Sequence, residues 1–236
     1  SSDPFQVLLF SRTTAYRHAS IPAGIAAITR LASSHRFTVH ATEDPTVFSP
    51  SHLSTIRVVI LLQCSGDFLD TEEQLDALKG FVHSGGGVVG IHCASFAMEG
   101  SEWYGRLIGA VFESHPAPTR ERVWVVEGGH AIVKGSLGKG GIKRIRGEGG
   151  DEEGEEWEWE WLDEWYRFKA GNGRIVENKD LTVLLEGGDL GKGNPVAWCQ
   201  EFEGGRSFYT SLGHFDEAYE DEGFMAQILG GILWTA

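Results

Sequence analysis

Short apolar runs alternate with helix-patterned stretches through residues 1–95, and that alternation leaves few architectures open to the chain. Gln6-Val7-Leu8-Leu9-Phe10, apolar from Val7 onward, reads as a first buried strand. Residues 21–34 carry apolar positions at helical spacing, with Pro22 in the first turn, where its missing N–H costs nothing. Residues 37–41 alternate apolar and polar side chains as a second strand, and the unbroken apolar run within residues 57–63 predicts a central one. Thr71-Glu72-Glu73-Gln74 has the pattern of a capping box and opens a helix that ends near Ser84. The next strand leads from Gly85-Gly86-Gly87 to His92. Strand and helix in this order predict a parallel sheet with right-handed crossovers, an α/β doubly wound fold of the flavodoxin-like class.

The second half is less regular. Residues 122–127, 181–186, 196–202 and 206–212 read as strands, the last two joined by a tight hairpin at Glu203-Gly204-Gly205, and residues 222–234 as a closing helix. A hairpin after a parallel half predicts a mostly parallel sheet with an antiparallel extension. At 236 residues, 41% hydrophobic and without a shift in composition, the chain is expected to form one domain, residues 1–236.

Charge is concentrated rather than spread. Ten acidic residues and no Lys or Arg lie between Glu148 and Glu164, and removing them takes the net charge from −14 to −4. They belong to an acidic, Gly- and Trp-rich insertion at about 135–161. Such composition reads first as a mobile solvated loop. The Trp/Glu alternation from Trp157 to Trp161 allows instead a strand with an aromatic face. An acidic chain without a basic stripe is not expected to bind nucleic acid or an anionic membrane. Its longest aliphatic run, Val58 to Leu62, is far short of the roughly 18 residues of a membrane helix. Residues 1–5 lack the basic and apolar segments of a secretory signal, and Cys64, Cys93 and Cys199 form no Cys-x-x-Cys pair. A soluble, cytoplasmic protein is the expectation; homo-oligomerisation stays open.

The segment ending in His92 points to a site. An apolar strand that turns sharply through small residues holds one side chain above the carboxyl edge of a parallel sheet, where ligands collect in doubly wound folds. Here that side chain is imidazole, with the Cys93 thiol beside it.

Several motifs then occur in order along nearly the whole chain: Tyr16-Arg17-His18-x-Ser20-Ile21-Pro22, Gly90-Ile91-His92, Ser114-His115-Pro116, Asp163-Glu164-Trp165-Tyr166, Pro195-Val196-Ala197-Trp198, Gly205-Arg206, Tyr209-Thr210 and Leu212-Gly213-His214. Together they resemble the ThuA-like (trehalose utilisation) family. The resemblance implies a fold like that of class I glutamine amidotransferases and a role in trehalose and keto-disaccharide metabolism. Ala15 stands where the pattern has glycine, and the acidic insertion, which is outside the pattern, directly precedes Asp163. In the amidotransferases the nucleophilic cysteine occupies the elbow centre, which here is His92. Cys93 is offset by one residue, so cysteine amidotransferase chemistry is not expected, and Cys93 reads as a small buried residue.

The motif segments supply an acid/base set. His92, Glu164, His18 and Asp163 are the expected catalytic residues, with Glu164 as base and His92 as its partner, because isomerisation, elimination or glycosidic cleavage of a sugar or 3-keto-sugar needs one base and one acid near neutral pH. Arg17, His115, Trp165, Tyr166, Arg206 and His214 are the expected carbohydrate-binding residues, the arginines steadying oxygens and the aromatic rings, with Trp198, offering faces to a sugar. Core packing is an equal reading for Trp198, and a simple ion pair for Arg206. Dispersed spacing assigns no metal, although three imidazoles and a carboxylate would suit a divalent ion such as zinc. The preferred function is a carbohydrate-active enzyme. The alternatives are a non-catalytic sugar-binding or regulatory module and a metal-dependent hydrolase.

Overall fold

Alternate side chains of the first strands enter two different cores, which is why those strands read as continuous apolar runs. In the computed structural model, which describes residues 4–145, 156–169 and 181–236, the chain runs through β1 (Phe5–Phe10), α1 (Ile21–Ser34), β2 (Phe37–Thr42), the short α2 (Pro50–Leu53), β3 (Val58–Leu62), α3 (Glu72–His83) and β4 (Gly87–Ile91). Val7, Leu9, Val58, Ile60 and Leu62 pack with α1, whereas Leu8, Phe10, Val59 and Leu61 pack with α3. A strand covered on both faces has no polar side to show. Thr71 caps α3 as expected, its hydroxyl accepting from the Gln74 amide.

The chain continues through α4 (Glu102–Ile108), β5 (Phe112–Ser114), β6 (Thr119–Val125), α5 (Ala131–Lys134), β7 (Lys143–Ile145), β8 (Glu156–Asp163), β9 (Arg167–Phe168), β10 (Thr182–Gly187), β11 (Pro195–Phe202), β12 (Gly205–Thr210) and α6 (Glu222–Thr235). Among the described residues ten strands form one mixed sheet in the order β2-β1-β3-β4-β12-β11-β10-β6-β8-β7. The first five are mutually parallel, and the pairings from β12 outward are antiparallel. The extension is thus as wide as the parallel half. Helices α1 and α6 cover one face, and α3 and α4 the other. Gly87 is required where α6 ends against β4, because a Cβ there would lie 2.4 Å from the Thr235 carbonyl oxygen. Glu203 and Gly204, both at positive φ, make a two-residue hairpin turn, and Gly205 already belongs to β12.

The loop reading of the acidic insertion is corrected where it can be examined. Residues 146–155 lie outside the described residues, but β8 pairs with β6 and β7 and buries Trp159 and Trp161 while Glu160 faces outward. Period-two alternation outweighed the acidic composition because the glutamates alternate with tryptophans that fill a core. No helix among the described residues is long and apolar enough to cross a membrane.

Candidate functional site

The carboxyl edge of the parallel half collects the titratable side chains. β4 ends at Ile91, and His92 turns the chain with φ +54 into a short 3-10 turn, His92–Phe96. A non-glycine residue in that region costs about 1–3 kcal/mol and persists only when its surroundings fix it. Two contacts do so: the Tyr209 hydroxyl donates to the His92 carbonyl at 2.7 Å, and His92 Nδ1 donates to the Ser211 carbonyl at 2.6 Å. Since a carbonyl only accepts, the proton of the neutral ring is on Nδ1 and the Nε2 lone pair points into the site.

Four groups converge on that nitrogen. The Tyr166 hydroxyl donates to it at 2.9 Å, His18 Nε2 lies 3.1 Å away, His214 Nδ1 3.3 Å and Glu164 Oε2 3.4 Å. His18 follows β1, and its pKa is lowered to about 3 by burial and then by the neighbouring His92 and His214 rings. Its Nδ1 lies 3.4 Å from the Cys93 sulfur, whose own S–H donates to the Gln63 carbonyl. His214 follows β12 and lies 3.2 Å from Glu164 Oε2. Burial opposes its charge, but the Glu164 carboxylate outweighs burial and raises its pKa. Burial likewise works against the Glu164 carboxylate, and the contacts with His214 and His92 overcome it, so the group is held below the ordinary carboxylate range. Glu164 Oε1 faces outward, 3.5 Å from Nε2 of His115, whose side chain is 34% exposed. This cluster is an anionic base enclosed by imidazoles, suited to move a proton or to hold a cation.

The sequence model of the ThuA family, described as trehalose utilisation, matches residues 6–141 and 152–235. The chain belongs to the ThuA family. Its fold is similar to that of a ThuA-like protein from Bacteroides uniformis, with 21% identity, a TM-score of 0.75, and coverage of 100% of this chain and 93% of the other. A ThuA-like protein from Parabacteroides merdae gives 20% identity, a TM-score of 0.69, and coverage of 99% and 90%. A β-galactosidase from Bacillus circulans gives 14% identity and a TM-score of 0.53, the match spanning 98% of this chain but 31% of that one. No curated protein matches the sequence significantly.

Within this ThuA-family chain the structure brings together His18, His92, His115, Glu164, Tyr166 and His214, and sorts the remaining expected site residues elsewhere. Asp163 is buried behind the cluster, where its carboxylate accepts from the Gly213 and His214 amides, so it positions the site rather than facing its opening. Arg17 turns away to pair with Glu43 at 2.7 Å. Trp165 is fully buried, its indole N–H donating to Thr119, and offers no free face to a sugar. Trp198 is core as well, donating to the Ile108 carbonyl. Arg206 is at the wrong end of the sheet: it pairs with Gly87 at the start of β4 and donates to the Trp234 carbonyl. His92 itself is fully buried, and His115, with a 34% exposed side chain, is the more open imidazole of the cluster.

Two contributors were given no role by the sequence. Gln63, just past β3 with φ +51, donates to the Gly213 carbonyl at 2.6 Å and so ties the β3 and β12 loops together. Its place at the carboxyl end of a central strand was the available signal. Tyr16 is 63% exposed and stands edge-on to His18 at the rim, with ring centroids 4.8 Å apart. Cys93 is buried and its thiol is pushed up by that burial. Native protein is therefore expected to leave Cys93 unalkylated by iodoacetamide, with labelling read by peptide mass spectrometry; rapid labelling would restore the cysteine-nucleophile reading.

Proposed function

We propose that this chain is a carbohydrate-active enzyme of trehalose or keto-disaccharide metabolism, working in the cytoplasm by acid/base isomerisation or glycosidic cleavage of a sugar or 3-keto-sugar. The observation that carries the reading is the Glu164 carboxylate, kept charged in a nearly closed site with its Oε1 edge turned to the half-exposed His115. Carbon beside a ketone is acidic enough for a carboxylate to take its proton, and a neighbouring imidazole returns one to the oxygen or to a leaving group. Glu164 is the base in this reading and His115 its exposed partner. His18, His92 and His214 set the charge of the site from behind. Tyr166 spans the two groups, its hydroxyl on His92 and its ring stacked on His115. The scaffold is the flavodoxin-like, class I glutamine amidotransferase-like one: the order β2-β1-β3-β4-β12 and the positive φ of His92 at the elbow both favour it.

The test is incubation with glucose, trehalose and their 3-keto forms in D2O, followed by NMR. Deuterium entering the carbon next to the ketone is the expected result for isomerisation, and released glucose the expected result for cleavage. Binding of a keto-sugar, seen as a raised Tm, with neither deuterium uptake nor product would overturn the enzyme reading in favour of a sugar-binding or regulatory module.

A further inference from the structure

We propose that His18, His92, His214 and Glu164 together hold one divalent transition-metal ion. Their donor atoms all lie within 4.8 Å of one another, and His92 Nε2 has the other three at 3.1, 3.3 and 3.4 Å. A tetrahedral ion with ligand bonds of about 2.0–2.1 Å puts its ligand atoms about 3.3 Å apart. Four of the six donor separations, His18–His92 at 3.1 Å, His214–Glu164 at 3.2 Å, His92–His214 at 3.3 Å and His92–Glu164 at 3.4 Å, fit that spacing.

The tautomers give the independent argument. His92 Nδ1 must donate to the Ser211 carbonyl, so His92 Nε2 presents a lone pair. The single proton of Cys93 goes to the Gln63 carbonyl, so the sulfur accepts from His18 Nδ1 and His18 Nε2 presents a lone pair too. The two lone pairs stand 3.1 Å apart, and an ion that takes His92 Nε2 displaces the Tyr166 hydroxyl that otherwise donates to it at 2.9 Å. Each of these two imidazoles also has its other nitrogen fixed by a buried acceptor, the outer arrangement that orients histidine ligands and makes them better donors. Three neutral imidazoles with one carboxylate favour zinc, cobalt or a similar ion over calcium or magnesium, which prefer oxygen.

This deepens the enzyme reading of the same site, and its sugar half rests on that reading. Glu164 binds the ion through Oε2, the oxygen facing His92 and His214. Oε1 stays with His115, on the more exposed side of the cluster, where a sugar carbonyl would meet both the ion and the proton-transfer pair. As a fifth ligand that carbonyl would be polarised by the ion, and a metal accounts for so much imidazole behind a single carboxylate.

The experiment uses tag-free full chain stripped with a chelator and titrated with Zn2+ and Co2+ by calorimetry, with Co2+ absorption as the signature of the ligand geometry. One ion per chain, a raised Tm and cobalt bands of a four- or five-coordinate nitrogen/oxygen site are expected. His214→Ala and Glu164→Gln should each weaken binding more than about 100-fold, beyond the 10–100-fold typical of losing an outer partner. His214 is partly exposed, so its alanine variant tests binding in a folded chain, checked by its circular dichroism. Failure to bind either ion stoichiometrically, or binding indifferent to both substitutions, would overturn the proposal. Full turnover of a keto-sugar by the stripped protein would overturn the ion's role and leave the enzyme standing, whereas tight ion binding with no sugar turnover keeps the ion and removes the enzyme.

Discussion

Glu164→Gln is expected to lower turnover of the sugar substrate about 10²–10⁴-fold, the usual weight of a positioned acid/base group, with little change in KM. The substitution keeps the shape and removes the charge that the three nearest imidazoles are arranged around. Glutamine is a poor base and a poor ligand, so the loss is expected whether the carboxylate takes the proton itself or holds an ion with one oxygen. His214 should respond as well: its raised pKa depends on the Glu164 carboxylate, and without that charge burial returns it downward. Histidine resonances followed against pH by NMR would show the fall. A variant with normal kcat and a raised KM would place Glu164 in binding alone, and a variant of a protein with no turnover to lose would support the module.

The sequence made the parallel half legible because each of its elements has an unambiguous period. β3 is apolar at every position and β1 from Val7 onward, since both faces are covered there, and α1 and α3 carry one apolar stripe with a proline or a threonine marking the start. The same logic located much of the cluster: His92 and His214 follow β4 and β12 closely, and His18 lies in the loop from β1 to α1, where parallel strands deliver side chains to one edge. Strand direction also settles Arg206. It stands near the beginning of β12, four residues before Thr210, and at about 3.3 Å per residue that is about 13 Å from the edge where the histidines meet. Motif membership drew it into the expected site, but direction excludes it. The segment from Glu164 to Tyr166 has no such rule. It leaves β8 as irregular chain, so nothing periodic says that Glu164 and Tyr166 face the cluster while Trp165 turns into the core. The strands β5 and β9 are too short to show any period at all.

Asp163→Ala is expected to cost about 3–4 kcal/mol of stability, seen as a lower urea midpoint at unchanged slope. Its buried carboxylate accepts from Trp161 Nε1 at 2.9 Å, the Gly213 amide at 2.7 Å, the Glu164 amide at 2.9 Å and the His214 amide at 3.3 Å. Each donor left buried without a partner costs about 1–3 kcal/mol, so the gross loss exceeds the net. The offset is the carboxylate's own burial, which raises its pKa against the pull of His92 and these donors and shows that enclosing the charge is unfavourable. Asp163 holds the amide side of Gly213, while Gln63 and Tyr219 hold its carbonyl; the residue sits at φ +115, where a Cβ would approach the Tyr219 hydroxyl to 3.1 Å. Released from Asp163 on its amide side, the Gly213-His214 turn holds the His214 ring less firmly at Glu164, so turnover should fall together with stability. Asp163→Asn keeps one acceptor but aims an NH2 at N–H groups, and is expected to recover only part of the loss. If turnover collapsed in Asp163→Ala while the urea midpoint stayed at its wild-type value, Asp163 would belong to the chemistry itself and not to the frame that positions it.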